Sequence, residues 1–163
     1  MTKTPPRVAV IALGNPDRGD DGVGPTVAEC LRELLPEQVA IIGAGGDVLG
    51  LIPAWTEFDA VVCIDAAALA NAPGRIHRFD LAVDELPPDV AAASSHAFGL
   101  ADAIALGRTL GEAPRDIVVY AIEGADFTAG APLTAEVAAA AAEAARRVAA
   151  EVSRLRLRAA VSA

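Results

Sequence analysis

An unbroken apolar run, Val8-Ala9-Val10-Ile11-Ala12-Leu13, stops at Gly14 and gives way to a loop crowded with turn formers and carboxylates, Asn15-Pro16-Asp17-Arg18-Gly19-Asp20-Asp21-Gly22. A short run rich in β-branched residues suits a strand covered on both faces, as in a parallel sheet. Gly24-Pro25 then restarts the chain as a helix, with Pro at the first helical position. Strand, polar loop and helix in succession place loop side chains at the carboxyl edge of an open α/β sheet, where such folds bind ligands.

The rest of the chain repeats this alternation. Val27, Ala28, Leu31, Leu34 and Leu35 keep a helical period that Pro36 closes, which predicts a helix over 25–35. Residues 39–42 read as a second strand, followed by a turn at Gly43-Ala44-Gly45-Gly46, with Asp47 placed to cap a short helix over 48–55. Residues 59–66 form a third buried strand that ends on a carboxylate, Asp65. Residues 74–79 suit an edge strand with one wet face, and Pro87-Pro88 keep 81–93 irregular. Ser94-Ser95-His96 lead into a helix over 97–110, for which Ser95 is a natural N-cap. A fifth strand at 116–122, a polar loop at 123–132 and an Ala-rich helix over 134–155 complete the pattern. The expectation is one α/β domain over 1–163, a three-layer α/β/α sandwich. Its twisted five-stranded sheet is mostly parallel, with an edge strand free to run antiparallel, and 1–6 and 156–163 are frayed tails.

Composition narrows the class. With 163 residues, 53% of them apolar and only 4% aromatic, the core must be built from Ala, Val, Leu and Ile. No apolar run reaches the roughly 18 to 20 residues of a membrane span, and the residues before Val8 do not resemble a signal peptide, so a cytoplasmic protein is expected; a monomer is a separate expectation. A net charge of −9 repels polyanions and argues against a nucleic-acid partner. Cys30 and Cys63 lie in apolar segments and read as buried thiols, not as a disulfide or zinc framework. Glycine spacing in the first loop does not match G-x-G-x-x-G, and its carboxylates would repel a pyrophosphate.

If the first and third strands are parallel neighbours, Asp20, Asp21, Asp65 and His96 all reach the carboxyl rim of the sheet. Two carboxylates and an imidazole are a donor set for a borderline transition metal, with positions left open for a ligand carried by a substrate. Each residue also has a structural reading. Either Asp20 or Asp21 could cap the following helix, and Asp20 is the better structural candidate. Asp65 could be a satisfied strand-end carboxylate, and a lone His near a helix start is commonly structural. His77, beside Arg75 and Arg78, reads as solvated, and Asp47 as a cap.

Gly14-Asn15 through Asp20-Asp21-Gly22-Val23-Gly24, then Ile64-Asp65-Ala66, then Ser95-His96-Ala97-Phe98-Gly99-Leu100 together resemble the hydrogenase maturation endopeptidases. These enzymes process the large subunit of nickel-iron hydrogenases. The resemblance extends from about Val8 to Leu155. It implies that Asp21, Asp65 and His96 are both the metal ligands and the catalytic residues. Asp21 is a shorter version of the glutamate common at the first position, and Ala97 replaces a frequent glutamine. It also implies nickel carried in by the substrate, so that the isolated protein's site is empty or holds another divalent ion. The expected partner is the large-subunit precursor, with no nucleic acid or membrane involved, and Gly45-Gly46-Asp47 and Glu123 are expected as neighbours of the cleft without catalytic roles. Two other readings share these motifs. One is a nickel-binding maturation chaperone that cuts nothing. The other is a peptidyl-tRNA hydrolase, similar at Leu13-Gly14-Asn15-Pro16, which the acidic charge and the missing early histidine disfavour.

Overall fold

The computed structural model describes residues 4–69, 71–93 and 99–161. Five strands, β1 (Val8–Leu13), β2 (Ala40–Gly45), β3 (Ala60–Ala67), β4 (Ile76–Asp80) and β5 (Asp116–Glu123), form one sheet in the order β2-β1-β3-β5-β4. β1 pairs in parallel with both β2 and β3, and β3 with β5, while β4 runs antiparallel to β5 at the edge. The expected sheet, including its antiparallel edge, is therefore the one observed. Every residue of β1 and β3 is buried, as expected for strands covered on both faces.

Strand pleating sorts the core into two layers. Val8 and Val10 of β1 and Val62 and Ile64 of β3 pack with α1 (Val23–Leu31) and α5 (Ala135–Val161). Ala9, Ile11 and Leu13 with Val61 and Cys63 pack on the opposite face against α2 (Leu51–Trp55) and α4 (Leu100–Leu110). A fifth helix, α3 (Pro88–Ala92), begins on Pro88, with Pro87 just before it. By this alternation Asp65 projects to the α2/α4 side, because it continues the series Val61, Cys63.

Several boundaries differ from expectation for identifiable reasons. The first loop ends in a 3-10 turn, Gly19–Gly22, that passes directly into α1 at Val23, so Pro25 is the third helical residue and not the first. That early start requires Gly24, where a Cβ would lie 2.1 Å from the Leu13 carbonyl oxygen and 3.2 Å from that of Ile64. This absence of a side chain lets α1 rest on the ends of β1 and β3. The helix stops at Leu31, four residues before the expected Leu35, and the chain turns before Pro36. β2 continues through Gly45, where a turn was expected, and α2 starts at Leu51. Asp47 caps nothing at that helix's N-cap, which is Gly50. It instead accepts the Gly50 N–H at 3.0 Å in the preceding turn. α4 is capped at Gly99, whose N–H is received by the Asp102 carboxylate at 3.1 Å, so Ser95, which lies outside the described residues, is not its N-cap. α5 continues through 156–161, which were expected as a tail, because nothing from Arg156 to Val161 is Gly or Pro. Cys63 is buried as expected, with its thiol pushed up to about 12 by burial and by the nearby Asp65 charge, whereas Cys30 is only half-buried. No helix is long and apolar enough to cross a membrane among the described residues.

Candidate active site

The register that pairs Ala12 with Ile64 brings the carboxyl ends of β1 and β3 side by side. The loop after β1 and the last residues of β3 therefore share one rim, and this is where the acidic residues gather. The two adjacent aspartates of the loop have opposite fates because the 3-10 turn points them in different directions.

Asp20 is fully buried and saturated with donors. Its Oδ2 accepts the N–H groups of Ala125 (2.7 Å) and Asp126 (3.0 Å), and Oδ1 accepts the N–H of Thr134 at 2.7 Å. The Thr134 hydroxyl adds a bond to each carboxylate oxygen at 3.0 Å. Burial opposes the charge, but the bonds from Ala125, Thr134 and Asp126 outweigh it and hold this carboxyl below its usual range. Asp20 thus staples the first loop to the segment that leads into α5. Its role is structural.

Asp21 is 2% exposed and accepts the Asn15 N–H at 2.8 Å. Gly14 makes this fold-back possible. Its φ of +117° is in the region that favours glycine, and a Cβ there would sit 1.9 Å from the Asp21 carbonyl oxygen. Asp65 is 6% exposed and its Oδ1 accepts the N–H of Ala66 at 2.9 Å. Burial pushes the Asp65 carboxyl up to about 7; the Ala66 bond works against that rise, and the negative charge of Asp21 adds to it. Two buried carboxylates that repel each other are relieved by a proton or by a cation, and a group titrating near neutrality can exchange a proton at working pH. The oxygen donors fit a divalent metal, provided other ligands complete the sphere.

His96, the third candidate, lies outside the described residues. Asp21 and Asp65 are brought together as expected. Among the described residues, no three His, Cys, Asp or Glu side chains form a group that could hold a metal ion.

Two cavities flank the pair. One, of about 370 Å3, is bordered by Asp21, Asn15, Arg18, Phe127 and the backbone of Gly45 and Gly46. The other is lined by Asp65 and by apolar side chains that include Leu86, Val90, Leu100 and Val119. Gly45 and Gly46 are thus neighbours of the cleft. Glu123, at the end of β5, is buried and occupied: it accepts the Ala72 N–H at 2.7 Å and meets His77 Nε2 at 2.7 Å. His77 is therefore a partner of a buried carboxylate and not a solvated side chain. Burial opposes the Glu123 charge, and these two contacts hold its carboxyl below the usual range. Motif reading passed over Arg18; the available signal was a lone cation inside an acidic, glycine-rich loop.

Comparison with known proteins gives a consistent result. Residues 25–151 match the profile of a family described as hydrogenase maturation protease. The hydrogenase expression/formation protein HupM of Azotobacter chroococcum is 27% identical over 131 residues, 78% of this chain and 62% of that protein. HupD of Rhodobacter capsulatus, of the same description, is 31% identical over 114 residues, 68% of this chain and 53% of that protein. The chain thus matches less than two thirds of the length of these two relatives. The solution structure of an endopeptidase from Escherichia coli superposes with a TM-score of 0.76 at 26% identity, covering 87% of this chain and 89% of that one.

Proposed function

The chain belongs to the hydrogenase maturation protease family, and we propose that it is an endopeptidase that removes the C-terminal extension of a nickel-iron hydrogenase large-subunit precursor after nickel insertion. The observation that carries this reading is the juxtaposition of two nearly buried carboxylates, Asp21 and Asp65, at the adjoining ends of β1 and β3.

In this reading nickel is part of the substrate. Held by the precursor's cysteine thiolates, it docks on Asp21, Asp65 and His96, and an empty precursor offers those side chains nothing to coordinate. The bound metal polarises the scissile carbonyl or lowers the pKa of a water molecule. The protein's own residues supply the rest. The Asn15 N–H orients Asp21, the Ala66 N–H orients Asp65, and burial keeps bulk water from screening either charge. With the metal bound, one of the two carboxylates accepts the proton released as water attacks.

The test is to mix the protein with precursor in nickel-loaded and nickel-free forms and follow the large subunit by mass spectrometry. The expected result is a shortened subunit from the loaded form alone. A stable complex with no shortened product would instead identify a nickel-binding chaperone, and cleavage of both forms would remove nickel as the signal.

A further inference from the structure

The 370 Å3 cavity beside Asp21 contains a second charged side chain that the metal chemistry does not use. Arg18 lies in the same loop, three residues before Asp21, and its backbone is held at both ends. Its N–H donates to the Asn15 carbonyl at 3.1 Å, and its carbonyl accepts the Asp21 N–H at 3.1 Å. Its neighbour Gly19 is tied by its own N–H to the Ala131 carbonyl at 3.0 Å. The backbone of Arg18 is therefore fixed, while its residue is exposed and borders the cavity.

Several other arginines of this acidic chain are held in internal ion pairs. Arg32 pairs with Glu29, Arg78 with Glu151, Arg115 with Asp116, and Arg146 and Arg147 with Glu143. The Arg18 guanidinium makes no ion pair with any described residue. A fork of five donors at the edge of a site, with its own backbone fixed, matches the two oxygens of a carboxylate. Gly45 and Gly46, which also line the cavity, present no side chains to it, so a bound segment can approach their backbone closely.

On the proposed function, we infer that Arg18 is a substrate-reading residue: its guanidinium takes a carboxylate of the precursor's C-terminal segment, across the same cavity from Asp21. That carboxylate belongs either to an acidic side chain of the segment or to the chain terminus. Arg18 thus recognises the peptide, and the aspartates recognise its metal. The two contributions are separable, because the Arg18 contact needs no nickel.

The test measures affinity of wild type, Arg18→Gln and Arg18→Lys for nickel-loaded and nickel-free precursor. The expected result is that Arg18→Gln weakens binding of both forms by about tenfold. Arg18→Lys should recover part of the loss, and added salt should shrink the difference. Melting temperature should stay at the wild-type value, since the side chain is exposed and its backbone bonds persist. Two further precursors identify the source. One has amides in place of the acidic side chains of the C-terminal segment, and the other is lengthened so that its terminal carboxylate is displaced. The gap between wild type and Arg18→Gln should close with one of them. Wild-type affinity in Arg18→Gln, or a gap that survives both altered precursors, overturns the assignment. Failure of the protease reading would look different: wild type would bind precursor and leave it full-length.

Discussion

Asp65→Asn is expected to slow processing of nickel-loaded precursor by at least about a hundredfold, the scale of losing a positioned acid–base group, while leaving the protein folded. The fold should survive because the asparagine Oδ1 can still accept the Ala66 N–H that Asp65 now receives at 2.9 Å. Stability should change in a direction set by pH. Burial raises the Asp65 carboxyl from 3.8 to about 7, with the Asp21 charge contributing to the rise. Between those two values the unfolded chain releases a proton that the folded chain keeps, so the aspartate costs stability as pH rises through this window. Asparagine carries no such cost. Melting of the variant relative to wild type should therefore be level near pH 4 and several degrees higher at pH 8, at roughly 2 to 4 °C per kcal/mol for a domain of this size. Unimpaired processing would contradict the site assignment, and a pH-independent difference in melting would contradict the electrostatic account of Asp65. A residue whose removal stabilises the fold and slows the reaction is one retained for function.

Its neighbour in the first loop should behave in the opposite way. Asp20→Ala is expected to unfold the protein or to lower its urea midpoint severely, whatever happens to the chemistry. The substitution strips acceptors from three backbone N–H groups, those of Ala125, Asp126 and Thr134, around a carboxylate with no exposure. A buried donor left without a partner costs about 1 to 3 kcal/mol, so the sum is comparable to the roughly 5 to 15 kcal/mol that holds a typical domain together. The contacts span more than 100 residues of sequence and fasten the loop after β1 to the start of α5. The folded-state pKa of Asp20 is depressed, so its contribution is present above the ordinary aspartate range and fades as acid titrates the folded protein. Acid sensitivity below about pH 4 should accordingly be blunted in any Asp20 variant that still folds. A wild-type urea midpoint in Asp20→Ala would show that the staple carries no load.

These two residues also show what a sequence can and cannot reveal. Asp65 was legible because a carboxylate near the end of an otherwise apolar strand is anomalous, and strand neighbourhood places it beside the first loop. The adjoining pair Asp20-Asp21 was legible only as a pair. Which of them faces the rim is fixed by the 3-10 turn and by the arrival of residues 125–134, a tertiary event with no local signature. The same limit applies to His77 and Glu123, which are 46 residues apart and meet because β4 returns antiparallel against β5. Local rules also misled at helix ends: Pro25 looked like a start signal, but Gly24 lets α1 begin earlier by permitting contact with the strand ends. Strands covered on both faces, by contrast, were read correctly from their unbroken apolar runs.

The claim on which the account rests is that the protein's side chains become ligands of the substrate's nickel. The nickel X-ray absorption spectrum of loaded precursor, recorded alone and after rapid freezing with the protein, measures this most directly. The account predicts additional oxygen and nitrogen neighbours around nickel when wild type is present, and their loss with Asp65→Asn. A nickel environment that is the same with and without the protein would contradict it.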